Sequence, residues 1–120
     1  MFVLTKDKTG IGHLAYRKEG VNMEMWKDIP GYECLYEIST FGNVFSKRKK
    51  ILLKPHDNGY GYLMVCLVKN GESKWVRIHQ LVLLAFEGEM LEGYEVNHID
   101  GNKYNNHLDN LEYVTSSENQ

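Results

Sequence analysis

Residues 97–110, NHIDGNKYNNHLDN, hold five asparagines, two histidines and two aspartates between two short apolar runs, YEV at 94–96 and LEYV at 111–114. Amide, imidazole and carboxylate groups leave water only at a cost unless each finds a hydrogen-bond partner, so this stretch cannot be core. It is either a long solvated loop or a binding site. The flanking runs read as short strands, and pairing them makes a hairpin with a connection of about 14 residues, far beyond the usual 2–5. Connections that long inside compact domains are functional or disordered.

A chain of 120 residues suits one compact domain, or one with an appendage. Hydrophobic content of 42% and charged content of 25% are ordinary for a soluble globular protein and exclude disorder throughout. Cys34 and Cys66 stand far apart with no CxxC partner, which excludes a zinc knuckle and a disulfide framework. Both read as small core residues in strand patterns, and a reducing, cytoplasmic setting is expected. No apolar run approaches the roughly 20 residues of a membrane span, and no secretory signal pattern opens the chain. The net charge of −2 conceals an uneven distribution: residues 1–20 carry +2, residues 21–86 carry +3 and residues 87–120 carry −7. An acidic end beside a basic middle suits a metal site next to a surface that faces a polyanion, and equally a plain solvated face.

Residues 1–22 hold neither a strand nor a helix period, with Gly10, Gly12 and Gly20 interrupting them, and read as a loosely ordered extension. Met23 and Met25 offer a second possible start. From Trp26 onward strands dominate. YECLYEIS (32–39) and VFS (44–46) flank the turn TFGN, with Gly42 supplying a positive φ. GYLMVCLV (61–68) and KWVRI (74–78) flank Asn70-Gly71, a strong hairpin signal. HQLVLLAF (79–86) fits a short buried helix at least as well as a strand. Thr115-Ser116-Ser117-Glu118 has the form of a capping box and predicts the start of a helix.

A strand, loop, strand and helix start in that order bring Asn97 and His98 near Asn119. A neutral imidazole among oxygen donors is what a hydrolase needs when a hard cation holds a phosphate and a base takes a proton from water. Mg²⁺ takes oxygen ligands, keeps several waters and uses few protein groups. Asn97 and Asn119 offer carbonyl oxygens, Asp100 offers a carboxylate, and His79 could approach the same place. Asn102, Asn105, Asn106 and His107 read as turn formers and surface groups.

His98, Asn110 and Asn119, embedded in VNHIDGNKYNNHLDNLEYVTSSEN, resemble the HNH motif of the phage-type homing endonucleases, a branch of the ββα-metal nucleases. IHQLVLLAF (78–86) resembles the lead-in of that branch, and WKDIPGYECLYEISTFGNVFS (26–46) resembles the DNA-binding module that often precedes it. The resemblance spans residues 26–119. It implies an α+β fold, an N-terminal antiparallel β-sheet (23–77) followed by a ββα-metal motif (78–120) whose final helix is cut short. It also implies that His98 is the general base, that Asn110 clamps the loop, and that Asn97 and Asn119 bind one divalent ion, Mg²⁺ or Mn²⁺. The expected reaction is hydrolysis of a phosphodiester in double-stranded DNA, as a nick, by a phage- or mobile-element-encoded enzyme in the host cytoplasm. No membrane and no small-molecule cofactor are expected, and the oligomeric state is open. Relatives often carry aspartate where this chain has Asn97, so the carboxamide pair adds no negative charge and Asp100 is the expected compensation.

Lys47, Arg48, Lys49, Lys50 and Lys54 form the densest basic cluster and are the first candidates for phosphate contacts. Lys74 and Arg77, with Trp75 between them, suggest a second basic face, and Lys103 a contact near the cut. Two other readings stay open: a DNA-binding module with a decayed site, and a small β-rich protein-interaction domain.

Overall fold

The computed structural model describes residues 2–6, 12–16 and 23–116. In chain order its elements are strands β1 (Phe2–Lys6), β2 (Gly12–Tyr16), β3 (Trp26–Asp28), β4 (Tyr36–Ser39), β5 (Val44–Ser46), β6 (Ile51–Leu52), β7 (His56–Asp57), β8 (Leu63–Lys69) and β9 (Glu72–Arg77). Helix α1 (Ile78–Glu87), β10 (Tyr94–His98), a single 3-10 turn over Leu108–Asn110, and β11 (Leu111–Thr115) follow. All strand pairs are antiparallel: β3-β4-β5-β6 form one sheet, β7-β8-β9 a second, and β10-β11 and β1-β2 are two-stranded. The β1-β2 hairpin lies within the stretch to which the sequence pattern assigned no element.

Local chemistry accounts for most of these boundaries. Asn70 and Gly71 both take positive φ, 52° and 79°, as a two-residue hairpin turn requires, and the register closes on Lys69 opposite Glu72. Gly42 bends the β4–β5 turn at φ 85°. β4 is shorter than its apolar pattern suggests. Leu35 and Tyr36 both donate backbone N–H groups to the carbonyl of Tyr32, curling 32–35 into a turn before the strand begins. Cys34 therefore falls in that turn and is exposed, not core, while Cys66 on β8 is half-buried.

Ten residues are too few for a helix to persist alone in water. α1 is held by burying Ile78, Leu81, Val82, Leu83 and Phe86. Ile38, Val44, Val65 and Leu67 of the two larger sheets and Ile29, just past β3, join them, and Leu108 and Leu111 belong to the same cluster. The core therefore runs across the expected boundary at 77/78. Gly88, at φ 94°, stops the helix. Thr115, the expected helix cap, is the last residue of β11, Ser116 is a turn residue, and residues 117–120, with Asn119, lie outside the described residues. Among the described residues no helix is long and apolar enough to cross a membrane.

Candidate functional site

The β10-β11 hairpin places Asn97 opposite Glu112 and His98 opposite Leu111. Successive side chains on a strand leave opposite faces, so the two neighbours serve different surroundings. His98 turns inward and is 8% exposed. Its Nε2 lies 3.0 Å from Asn106 Oδ1, and its ring meets the ring of His79 at 5.1 Å, edge to face. Tyr62 packs against both imidazoles, 5.2 Å from His79 and 6.3 Å from His98. His79, the second residue of α1, is buried with Nδ1 unpartnered. Burial, with smaller contributions from the charges of His98 and Arg77, lowers its pKa to about 4, so His79 is neutral at pH 7.

Asn97 turns to the other face and donates from Nδ2 to Glu112 Oε1 at 3.0 Å. Sequence reasoning missed Glu112. Its signal was the hairpin register, which puts a carboxylate beside the carboxamide once 94–98 and 111–115 are paired. The donor set on this face is a carboxamide and a carboxylate, the hard oxygen chemistry that Mg²⁺ or Mn²⁺ accepts. Among the described residues no three His, Cys, Asp or Glu side chains gather at one point. A cation here would rest on few protein oxygens and take its remaining ligands from water and phosphate.

Asp100 is committed elsewhere. Its Oδ1 accepts from the backbone N–H of Asn102 at 2.8 Å and from Asn110 Nδ2 at 2.9 Å, and its Oδ2 accepts from Asn105 Nδ2 at 2.9 Å. The Asn105 amide first, then the Asn102 N–H and the Asn110 amide, hold its carboxyl below the usual carboxylate range. These bonds make Asp100 a staple of the loop. Asn110, 8% exposed, closes the same loop: Oδ1 accepts from Asp100 N–H, and Nδ2 also donates to the carbonyl of Asn105, both at 2.9 Å. Asn102 Oδ1 accepts from Tyr104 N–H, and Asn105 Oδ1 from His107 N–H, the local turns expected of these residues. Asn106 is different. It is 4% exposed and bonded to His98, not a surface group.

Two clamps tie this loop to the N-terminal sheets. At its tip, Tyr104 Oη donates to Asp57 Oδ2 at 2.5 Å and Lys103 Nζ to the carbonyl of Tyr60 at 3.3 Å. Lys103 and Arg77 both lie over the Tyr62 ring, 4.6 and 5.0 Å from its centroid, which gathers two cations on a ring that also packs against His98. Tyr62 went unnoticed in the sequence because nothing there marks it apart from its seven fellow tyrosines. At its base, Leu108 N–H donates to the carbonyl of Thr40 at 2.8 Å, and Phe41 stacks on His107 at 4.6 Å.

The basic cluster divides. Lys47 is tied to Asp28 at 2.5 Å and to the carbonyl of Glu33 at 2.6 Å, so it stitches the first sheet together instead of reaching outward. Arg48, Lys49, Lys50 and Lys54 are exposed. Lys74 and Arg77 do not share a face. Three positions apart on β9, they alternate: Lys74 pairs with buried Leu67, whereas Arg77 pairs with Met64 on the face that carries Trp75 and, 5.3 Å from it, His56.

Comparison with known proteins adds a lineage to this geometry. Residues 24–68 match the NUMOD4 motif, and residues 76–120 match the HNH endonuclease family. The chain is 42% identical over 90 residues to the DNA endonuclease I-HmuI of Bacillus phage SP01, covering 75% of this chain and 52% of that protein. It is 39% identical over 89 residues to the SPbeta prophage-derived putative HNH homing endonuclease YosQ of Bacillus subtilis (strain 168), covering 72% of this chain and 51% of the relative. A solved structure showing DNA binding and cleavage by the HNH homing endonuclease I-HmuI superposes with a TM-score of 0.75 at 43% identity, over 79% of this chain and 55% of that one. The chain spans about half the length of these relatives.

Proposed function

We propose that this chain, whose residues 24–68 match the NUMOD4 motif and residues 76–120 the HNH endonuclease family and which is similar to HNH homing endonucleases, is a divalent-metal-dependent endonuclease that hydrolyses a phosphodiester in duplex DNA. The observation that carries this reading is the inward imidazole of His98, held at Nε2 by Asn106, on a strand whose preceding residue, Asn97, presents an oxygen donor beside a carboxylate. His98 is the general base: its free nitrogen takes the proton of the water that attacks the scissile phosphorus. Asn110 supports it by closing the loop on both sides. Asn97 and Asn119 are the proposed ligands of one Mg²⁺ or Mn²⁺, with Glu112 supplying the local negative charge that two carboxamides lack. When bound, the cation supplies charge stabilisation at the phosphate and its leaving oxygen. Arg77 and Lys103, gathered on Tyr62, hold the phosphate near the cut. Two cysteines outside any disulfide and relatives from phages suit the cytoplasm of a host cell.

A plasmid-nicking assay with Mg²⁺, Mn²⁺ or EDTA, run beside a DNA-binding titration, tests this reading. Conversion of supercoiled to open-circular DNA with either metal and none in EDTA supports it. Binding without nicking would support a decayed site, and neither would leave a protein-interaction domain.

Arg48, Lys49, Lys50 and Lys54 are the proposed backbone contacts. Exchanging Arg48, Lys49 and Lys50 for serine should weaken binding to all sequences alike. It should also flatten the dependence of log affinity on log salt by about 0.9 per lost phosphate contact. An unchanged slope would remove these residues from the interface.

A further inference from the structure

The base of the polar loop is not shaped by the HNH segment alone. Asn106 sits between His98 and the β4–β5 turn, two elements that belong to different halves of the chain. On one side its Oδ1 faces His98 Nε2 at 3.0 Å. On the other, a Cβ placed on Gly42 would stand 2.9 Å from Asn106 Cβ, closer than real Cβ atoms come to any neighbour, and 3.1 Å from its carbonyl oxygen, a tight contact. Gly42 is therefore glycine for two reasons, its φ of 85° and the seat it leaves for Asn106. The neighbouring contacts lock the same seam: Thr40 accepts from Leu108 N–H, and Phe41 covers His107 with rings inclined by 18°.

An amide oxygen is only an acceptor, so a neutral imidazole facing it carries its proton on Nε2 and keeps the lone pair on Nδ1. The reverse amide orientation would place an N–H against Nε2, move the ring proton to Nδ1 and leave no nitrogen able to accept a proton from water. The structure has the first orientation. Tyr62 and His79, packed on the ring, hold its plane.

We propose that Asn106 is a positioning residue that sets the tautomer of His98, and that the β4–β5 turn of the NUMOD4 segment holds Asn106 in place through Gly42. The N-terminal half is then part of the scaffold of the reacting site as well as a DNA-binding attachment. This inference rests on His98 being the general base, and its test separates the two.

Long-range ¹H–¹⁵N correlation spectra of the full chain, recorded where His98 is neutral, report the tautomer directly. The wild type should show the proton on Nε2; a wild-type His98 protonated on Nδ1 overturns the inference with no variant needed. In Asn106→Ala the spectrum should turn to a mixture of tautomers. Its kcat should fall about 10- to 100-fold, within the contribution of a general base, with DNA affinity changed by less than about twofold. Asn106→Asp keeps an acceptor at the same place and should restore the Nε2–H form and most of the rate. Gly42→Ala, made wholly outside the HNH segment, should reproduce the mixed tautomers. A folded Asn106→Ala protein that keeps the Nε2–H form, or a Gly42→Ala protein with the wild-type signature, sinks the proposal. Full nicking by His98→Ala would instead sink the reading beneath it.

Discussion

His98→Ala should lose nicking by about 10²–10⁴-fold while still binding DNA, because a positioned base contributes a factor of that size to proton transfer. The two parts of this result answer different questions. His98 is 8% exposed and faces Asn106, Tyr62 and His79, so it is not itself a surface contact for the duplex. The exposed cations on 48–50 and at 54 are untouched by the change, and affinity should follow them. Removing a buried imidazole also leaves Asn106 Oδ1 without its partner, at a cost of about 1–3 kcal/mol. His98→Gln, which retains a polar group in the pocket but no proton acceptor of suitable basicity, controls for that cost. It should be as inactive as the alanine variant and closer to wild type in thermal stability. Nicking by either variant at a rate near wild type would remove His98 from the reaction.

The second large effect belongs to Asn110→Ala. Three hydrogen bonds end on this buried side chain, and two of them satisfy backbone groups, the N–H of Asp100 and the carbonyl of Asn105. Alanine leaves both without a partner where the loop folds back on itself. Net losses of about 1 kcal/mol for each bond, more where the group stays dry, suggest a cost of roughly 2 kcal/mol from the backbone pair. That is a fall in melting temperature of several degrees for a domain of this size, on the order of 4–10 °C. Activity should fall further than stability, because Ile99 N–H is anchored on the carbonyl of Asn110 and Gly101 N–H on that of His98. Loosening residue 110 therefore loosens the residues that follow the base. Asn110→Asp is a sharper version. It keeps an acceptor for Asp100 N–H but loses both donors and sets a second carboxylate against Asp100, so it should be at least as damaging. A melting curve and a nicking time course on each variant decide the matter; wild-type behaviour in both would leave Asn110 without the clamp role.

What the sequence made legible was what local chemistry determines. Asn70-Gly71 announced its hairpin because both positions need positive φ. The apolar spacing of 79–86 fitted a short buried helix at least as well as a strand, and the helix is found at Ile78–Glu87, while the polar run between two apolar runs located the long loop. What stayed hidden depends on which distant surfaces meet. Lys47 looked like the head of a free basic run until Asp28 and Glu33 folded beside it. Lys74 and Arg77 looked like partners until the pleat of β9 parted them. Asn106 looked like one more turn asparagine, because its burial depends on a turn more than sixty positions earlier in the chain. Glu112 was the nearest miss, since the hairpin alone puts it across from Asn97. The α+β architecture, antiparallel sheets followed by an HNH hairpin, agrees with the superposition on I-HmuI.

The central claim is spatial: His98 and Asn97 act from two sides of one strand on a single phosphate. Anomalous diffraction at the manganese edge from crystals of this chain with a DNA duplex and Mn²⁺ tests it most directly. The account predicts one manganese peak at coordination distance from the Asn97 carboxamide oxygen and a phosphate oxygen, with the His98 imidazole directed at the phosphorus of that same phosphate. A peak on another surface, or a duplex lying with no phosphate between Asn97 and His98, would contradict it.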